Sequence, residues 1–283
     1  MEQECIRVLS FNLKRDFGIP LHKSRLWGNR RELAARLIRE SGATIIGVQE
    51  LLPQMREDVG KLLGDYSILG SGRFSGLRPK EDEHSDILVK KESATAQLVK
   101  TFWLSKSPER LSRAYYAAFP RICTVAEVRL SRLDRTIRVF NTHMDHLCGL
   151  ARVLGVKVIL DYMAQLNREQ RLPTVLMGDF NAKPQSRPLR LLRQGLPDRG
   201  IHLTDVYSRL APQYQYNTLH NFSGKYKANA KPIDYIFVSD EFEVVDTQVV
   251  TTPVDGRFPS DHFPLEAVLR LKKEPVCAKR ENG

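Results

Sequence analysis

The chain lacks the features that mark membrane-spanning and secreted proteins. None of its 283 residues belongs to a run approaching the ~18 consecutive apolar residues that a transmembrane helix requires. Its first stretch, MEQECIRVLSFN, opens with acidic residues and enters a strand-like run, with no basic region followed by an apolar segment. These absences predict a protein that works in the cytoplasm.

Cysteine is scarce and is not arranged in pairs. The four cysteines are Cys5, Cys123, Cys148 and Cys277, and none forms a Cys-x-x-Cys motif. Three of them lie in or beside apolar runs, which favours reduced, packed thiols. The pattern argues against a disulfide framework and against a zinc site built from sulfur ligands.

Internal repeats and long low-complexity linkers are also missing. The length fits one large α/β domain, and we expect a monomer with a single catalytic domain over residues 1–271. Residues 272–283, KKEPVCAKRENG, combine proline with dense charge, which predicts a mobile tail.

Basic residues outnumber acidic ones. The 44 lysines and arginines against 33 acids give a formal net charge of +11. Such a surface favours polyanions, including nucleic acid, phosphoinositides and anionic membranes. Charge alone assigns no function.

Strand-like and helical segments alternate along the chain. The spacing predicts helices over residues 30–41 and 147–168. It predicts hairpins from the neighbouring runs 86–91 and 96–104 and from 122–130 and 136–143, the second turning near Asp134. Further strands are predicted at 6–12, 43–50, 233–239, 242–250 and 263–271. Many strands with interspersed helices indicate a mixed-sheet α/β domain rather than a purely parallel one.

Polar residues follow several of the apolar runs. In TVLMGDFNAKP (174–184), Asp179 and Asn181 stand two residues apart, so on a strand they point to the same side. The alternative is an ordinary turn, since Gly, Asp, Asn and Pro all form turns. Other apolar runs end in the same way at Asn12, Glu50 and His143. Asp234 stands near the head of a predicted strand, and Asp261 and His262 stand just before the last one.

Taken together, these side chains favour metal-assisted hydrolysis. Carboxylates and carboxamides without sulfur suit the hard cations Mg²⁺ and Mn²⁺. A histidine beside carboxylates can transfer protons near neutral pH. Any one of these residues alone is more simply read as a cap or an ion-pair partner, and the joint pattern carries the prediction.

The ordered motifs FN, QE, NTH, GDFN, IDYIF and SDH resemble those of the endonuclease/exonuclease/phosphatase superfamily. They span residues 11–262, and the segments 102–108, 119–128 and 218–225 are similar to a bacterial-type branch of metal-dependent hydrolases. The resemblance implies a deoxyribonuclease-like four-layer sandwich, with two packed mixed β-sheets flanked by helices. It places the active site at one end, where strand termini and loops meet.

The resemblance also implies a metal site. Glu50 of QE is the leading ligand, with Asn12 beside it. Asp261 completes the site directly or through water. The implied cofactor is Mg²⁺ or Mn²⁺.

Catalytic roles follow from the other motifs. Asp179 orients or deprotonates the attacking water, and Asn181 holds a phosphate oxygen. His262 acts as general base or as a phosphate-stabilising acid, with Asp234 fixing its tautomer. His143 contacts phosphate or the leaving oxygen. The motifs leave the proton path between Asp179 and His262 open.

Other residues have both a functional and a structural interpretation. Arg121 brings positive charge to the phosphate or is a solvated strand-start residue. Glu83 and His84 match a glutamate-containing position of the bacterial-type branch, or belong to a charged surface stretch. His220 is a substrate-loop residue or a packed structural histidine. Lys225 belongs to the basic segment described next and is a candidate for substrate binding.

Residues 214–232, YQYNTLHNFSGKYKANAKP, interleave aromatic and basic side chains. Aromatic stacking combined with cations holds single-stranded nucleic acid without base readout, whereas the alternative is a basic loop whose aromatics pack on the core. We therefore expect a nuclease first and, as the alternative, a phosphatase or phosphodiesterase acting on small or lipid phosphates. SFNLKRD lacks the Trp and the Asn-Gly of apurinic endonucleases, which argues against abasic-site cleavage. A non-catalytic binding module would have lost some site residues, and none is lost.

Overall fold

The computed structural model describes residues 5–16, 23–226 and 231–273, and these build two six-stranded β-sheets with four α-helices. The strands are β1 (Cys5–Asn12), β2 (Ile45–Gln49), β3 (Tyr66–Leu69), β4 (Ile87–Lys90), β5 (Ala94–Trp103), β6 (Ile122–Leu130), β7 (Arg135–His143), β8 (Thr174–Asp179), β9 (Leu203–Asp205), β10 (Asp234–Ser239), β11 (Phe242–Val249) and β12 (Leu265–Leu271). The α-helices are α1 (Arg31–Ser41), α2 (Pro53–Leu62), α3 (Gly149–Glu169) and α4 (Arg187–Gln194). Short 3₁₀ helices occupy Lys23–Arg25, Trp27–Asn29, Pro197–Arg199, Val206–Arg209 and Pro212–Tyr214.

Both sheets are mixed, as the sequence predicts. The first has the order β11-β12-β1-β2-β4-β3 and the second the order β5-β6-β7-β8-β10-β9. The pairs β1–β2 and β7–β8 are parallel, and the other pairs are antiparallel. Two parallel pairs within otherwise antiparallel sheets confirm the predicted sandwich of packed mixed sheets.

Alternation along the strands assigns each apolar side chain to a layer. Ile45 of β2 joins the large core cluster that also contains Val125 of β6, whereas the next residue, Ile46, joins the cluster that contains Leu37 of α1. Successive side chains of a strand point to opposite faces, so one strand supplies both layers. Burying such a side chain contributes roughly 1.5–3 kcal/mol, and this packing holds the sheets together.

A close approach between the sheets occurs at Gly47 of β2. A Cβ at this position would lie 2.6 Å from Met177 Sδ and 2.7 Å from Asn141 Oδ1. The Asn141 amide donates to the carbonyl oxygens of Val48 and Asp86 at 2.9 and 2.8 Å, and Gln49 Nε2 donates to Asn141 Oδ1 at 2.8 Å. This buried polar network links the two sheets next to the strand ends.

The predicted hairpin between runs 86–91 and 96–104 is wrong. Strand β4 pairs with β2 and β3 in the first sheet, whereas β5 pairs with β6 at the edge of the second. The connection therefore crosses from one sheet to the other. The side chains of β4 are buried on both faces of the strand. An isolated hairpin would leave one of these faces exposed, whereas a position between β2 and β3 in the first sheet covers both.

The other predicted strands, the second hairpin and both helices are confirmed within one to three residues at most ends. Four short elements, β3, α2, α4 and β9, had no prediction. Within the described ranges, no helix combines the length and the apolarity needed to cross a bilayer. The predicted tail lies outside the described residues from position 274 onward.

Candidate active site

The side chains of His143, Asp179 and Asp234 lie side by side where three interior strands of the second sheet end or begin. In the strand register, Asp179 at the end of β8 is opposite His143 at the end of parallel β7. Asp179 is also opposite Asp234 at the start of antiparallel β10. The parallel and antiparallel pairings therefore bring two strand ends and one strand start to the same point, where all three side chains are buried.

The turn after β8 explains the sequence GDFN. Gly178 has a φ of +148°, and a Cβ there would lie only 2.0 Å from the Thr142 carbonyl oxygen. Beyond it, Asn181 has a φ of +48°, its amide nitrogen donates to Asp179 Oδ1 at 2.9 Å, and its side chain donates to the Met144 carbonyl oxygen at 3.1 Å. The strand thus ends at Asp179, whose carboxylate joins the cluster, and Asn181 lies beyond it in a turn. The turn interpretation therefore holds for Asn181, which does not share a strand face with Asp179.

The first sheet supplies Asn12, at the end of β1, and Glu50, just after β2. Asn12 Nδ2 lies 3.0 Å from Glu50 Oε1 and 3.0 Å from Asp179 Oδ2, so one amide joins carboxylates that belong to different sheets. Its Oδ1 accepts from the Lys14 backbone amide at 2.9 Å. Glu50 Oε2 accepts from the Arg15 backbone amide at 2.8 Å. In this orientation Asn12 positions the two carboxylates.

His262 is held against Asp234. Its Nδ1 lies 2.8 Å from Asp234 Oδ2, and its Nε2 lies 3.9 Å from Asp179 Oδ2 and 4.0 Å from Asp261 Oδ1. Burial opposes a charged imidazole, but Asp234, followed by Asp179 and Asp261, raises the pKa of His262 to about 10. The ring is therefore favoured as a cation directed at Asp179.

Lys14 is a site residue that sequence reasoning missed. Its Nζ lies 3.0 Å from Asp261 Oδ2, and the charges of Glu50 and Asp261 raise its pKa although burial opposes this. Strand alternation could not have indicated it, because Lys14 lies beyond the end of β1 and has a φ of +54°.

Glu83 is the centre of a buried cluster of cations beside the site. Its Oε1 lies 3.2 Å from His143 Nδ1 and 3.6 Å from Arg121 Nη1, and its Oε2 lies 3.2 Å from Arg73 Nη1 and 3.3 Å from Arg15 Nη1. Burial opposes ionisation, yet the close contact with His143 and the charges of Arg73 and Arg121 hold the pKa of Glu83 well below its usual value. The structure thus brings Glu83 and Arg121 to the site, together with two arginines that the sequence did not single out.

The remaining candidates lie further from this centre. His84 Nδ1 lies 3.1 Å from Asp86 Oδ1. His220 is buried, stacks on Phe263 with ring centroids 3.8 Å apart, and accepts from a backbone amide through Nδ1, and burial lowers its pKa to about 4. Lys225 is exposed, and Lys227 lies outside the described residues. His220 therefore supports the backbone next to His262, because its own backbone amide donates to the Asp261 carbonyl oxygen at 2.8 Å.

The donor groups fit a hard cation. Ligand atoms of Glu50, His143 and Asp179 lie within 4.8 Å of one another, as do those of Asp179, Asp234 and His262. Within the described chain, the buried Oδ1 atoms of Asp234 and Asp261 have no hydrogen-bond partner. Oxygen-rich sites of this kind suit Mg²⁺ or Mn²⁺.

Known structures resemble the whole fold. An endonuclease/exonuclease/phosphatase family protein from Bacteroides thetaiotaomicron is 28% identical, with a TM-score of 0.83 over 96% of this chain and 100% of that chain. A mannosyl-6-phosphatase of the same species is 29% identical, with a TM-score of 0.81 over 93% of this chain and 99% of that chain. TDP2 of D. rerio, complexed with a single strand DNA product, is 15% identical, with a TM-score of 0.68 over 94% of this chain and 99% of that chain. This likeness concerns the fold alone. A search of curated protein sequences gives no significant match.

A sequence family supports the same assignment. The model described as the endonuclease/exonuclease/phosphatase family matches residues 9–262, a range that contains every residue of the site. The family consists of metal-dependent phosphoester hydrolases, and the acidic and histidine cluster of this chain agrees with that chemistry. The chain therefore belongs to the endonuclease/exonuclease/phosphatase family.

Proposed function

We propose that this protein is a Mg²⁺- or Mn²⁺-dependent nuclease that hydrolyses phosphodiester bonds by in-line attack of water. The observation that carries the proposal is the position of Asp179. Its Oδ2 lies 3.0 Å from Asn12 Nδ2, 3.7 Å from His143 Nε2 and 3.9 Å from His262 Nε2. A carboxylate surrounded by groups that contact phosphate is suited to positioning a water molecule.

In this mechanism Glu50 and Asp261 would hold the cation. When bound, the cation stabilises negative charge on the phosphoryl and leaving oxygens. Asn12 fixes Glu50 against Asp179, and Lys14 keeps a positive charge beside Asp261.

Proton movement is assigned to Asp179. As the new bond between the water oxygen and phosphorus forms and the bond to the leaving oxygen breaks, Asp179 Oδ2 accepts a proton from the water. Burial and the neighbouring Asp234 raise the pKa of Asp179, which improves it as a base. His262, kept charged by Asp234, donates to a phosphate oxygen, and His143 and Arg121 contact the same phosphate.

Nucleic acid is the substrate class that charge favours. The net charge is +11. In the aromatic and basic segment 214–232, the exposed side chains include Tyr214, Lys225 and Tyr226. His220 and Phe222 of the same segment make internal contacts instead, with Phe263 and with Arg25 and Arg30.

A phosphatase acting on a small phosphomonoester is the second candidate. It is favoured by the 29% identical mannosyl-6-phosphatase and by the burial of Arg73 and Arg121, since an enclosed cation cluster suits a compact anion.

One assay compares the two candidates. The full chain is incubated with Mg²⁺ or Mn²⁺ and with single-stranded DNA, RNA, bis-p-nitrophenyl phosphate and a panel of sugar and inositol phosphates. Cleavage of oligonucleotides with kcat/KM well above that for any monoester supports the nuclease. Release of inorganic phosphate from monoesters with intact oligonucleotides would replace it by the phosphatase.

We further propose that residues 1–271 act as one monomeric catalytic domain in the cytoplasm. The pairing of β1 with β12, which joins Cys5–Asn12 and Leu265–Leu271 in one sheet, supports the single domain. Sedimentation of the active protein as a dimer would contradict the monomer.

A further inference from the structure

An exposed aromatic surface lies beside the active site. Tyr115 and Tyr116 are 84% and 64% exposed, and their rings meet edge to face with centroids 4.6 Å apart. With Lys106, Arg113 and Leu150 they line a groove of about 530 Å³. We refer to these five residues as the tyrosine platform. Contiguous exposed aromatic side chains, unlike single ones, are typical of an interaction surface.

A second groove continues from the platform. It measures about 480 Å³, and its lining includes Arg78, Phe119 and Arg113, so Arg113 belongs to both grooves. No acidic residue of the described chain lines either groove, whereas three basic residues do. The surface therefore pairs aromatic faces with positive charge and suits an anion that also carries flat rings.

The platform is joined to the catalytic end of the sheets. Asp145 Oδ2 accepts from the backbone amide of Ala118, two residues after Tyr116, at 3.2 Å. Arg121 contacts Glu83, and its Nη2 also lies 3.0 Å from Nδ1 of His146. His146 belongs to the segment that leads into α3. The Arg73 guanidinium lies 4.7 Å from the centroid of Phe119 in the second groove. A ligand on the platform would therefore continue toward the arginines that surround Glu83.

We propose that the tyrosine platform binds the unpaired bases of single-stranded nucleic acid, with Lys106 and Arg113 contacting its phosphates. This inference rests on the proposed function and specifies its substrate. Bases stack on aromatic side chains regardless of sequence, and cations follow the backbone. A duplex would keep its bases stacked inside. A second copy of the chain would place Lys106, Arg113 and Arg78 opposite like charges, so charge disfavours self-association through this surface.

Binding tests the platform directly. Anisotropy of a fluorescein-labelled oligothymidylate of 15 nucleotides is measured with the full chain in EDTA. Tyr115→Ala combined with Tyr116→Ala should weaken binding about tenfold or more, in line with the loss of base stacking. The matched double variant with Phe at both positions keeps the rings and should bind within about twofold of wild type. Lys106→Ala should lower the slope of log Kd against log salt by about one, while Lys61→Ala on distant α2 should not.

Hydrolysis of bis-p-nitrophenyl phosphate with Mn²⁺ separates failure of the platform from failure of the proposed function. The double Ala variant should hydrolyse this small diester at the wild-type rate, which also shows that it is folded. If wild type and the double Ala variant bind the oligothymidylate equally, or if wild type does not bind it, the platform proposal is overturned. Metal-dependent hydrolysis of the small diester would in that case still support the proposed enzyme. Tighter binding of a duplex than of the single strand, or a loss confined to sugar phosphate turnover, also overturns it. Absence of metal-dependent diester hydrolysis contradicts the proposed function instead.

Discussion

His262 Nδ1 and Asp234 Oδ2 are 2.8 Å apart, and this contact directs Nε2 toward Asp179, 3.9 Å away. Asp234→Asn preserves the shape but removes the charge that favours the protonated ring. We expect turnover to fall by ~10²–10⁴-fold, as in other carboxylate–histidine pairs, with an unchanged circular dichroism spectrum. The pKa of His262, followed by NMR in metal-free protein, should fall from its raised value. An unaltered titration would show that Asp234 does not control the ring.

Metal removal should abolish activity. The buried oxygen donors around Glu50 and Asp261 imply a hard cation, so EDTA should stop hydrolysis and Mg²⁺ or Mn²⁺ should restore it. The measurement is initial rate against free metal after dialysis. Full activity in buffer shown to be metal-free by atomic absorption would contradict the assigned chemistry.

Asp179→Asn and His262→Ala should each reduce kcat by at least ~10²-fold, since contributions from general acid–base catalysis are of that size. Both side chains are buried, so each variant is first compared with wild type by thermal unfolding. A Lys61→Ala variant, at an exposed position of α2 outside the site, serves as a control for purification. Near-wild-type turnover in either site variant would mean that the catalytic centre lies elsewhere.

Glu83 should make stability depend on acid pH. Its pKa is lower in the folded protein than the ordinary value of 4.5, so its ionised form stabilises the fold above about pH 4.5. That stabilisation is lost as the pH falls through the folded pKa. Glu83→Gln leaves buried cations without their anion, and we expect a loss of about 3–5 kcal/mol at pH 7. In urea titrations, the difference in the free energy of unfolding between Glu83→Gln and wild type should shrink progressively below pH 4.5. A difference that stays constant with pH would refute this account.

Gly178 should be intolerant of a side chain. A Cβ would meet the Thr142 carbonyl oxygen at 2.0 Å, and a φ of +148° is unfavourable for alanine. Backbone strain and overpacking of this kind cost about 1–3 kcal/mol each, so Gly178→Ala should lower the melting temperature by several degrees and reduce turnover. Gly64→Ala is the matched control, because a Cβ there has no neighbour within 4 Å. Equal melting temperatures for the two variants would contradict the close approach of β7 and β8.

Four of the candidate site residues could be predicted from the sequence because each ends or directly follows an apolar run. Asn12, Glu50, His143 and Asp179 stand at or just after the ends of strands, and sheet pairing then brings strand ends together. Their roles follow from the family motifs and remain predictions until variants are assayed.

The parts that the sequence could not predict depend on tertiary contacts rather than on local periodicity. Arg73 lies in an irregular segment and pairs with Glu83, ten residues away, inside a pocket that only the folded sheets create. Strands β4 and β5 are neighbours in sequence but belong to different sheets, because burial on both faces of β4 outweighs local pairing. Periodicity reports which face is apolar, and it does not report which partner covers that face.

The bond from Asn12 to Glu50 and Asp179 has a consequence for the order of events during synthesis. Asn12 comes from the start of the chain and Asp179 from the second sheet, while Asp261 and His262 immediately precede β12, the strand that pairs with β1. A ribosome-bound chain that has not yet emerged to residue 262 therefore lacks both the last side chains of the site and the strand that covers β1. Such a nascent chain has no complete candidate site, so the site can assemble only after the last strand has been made and has paired with β1.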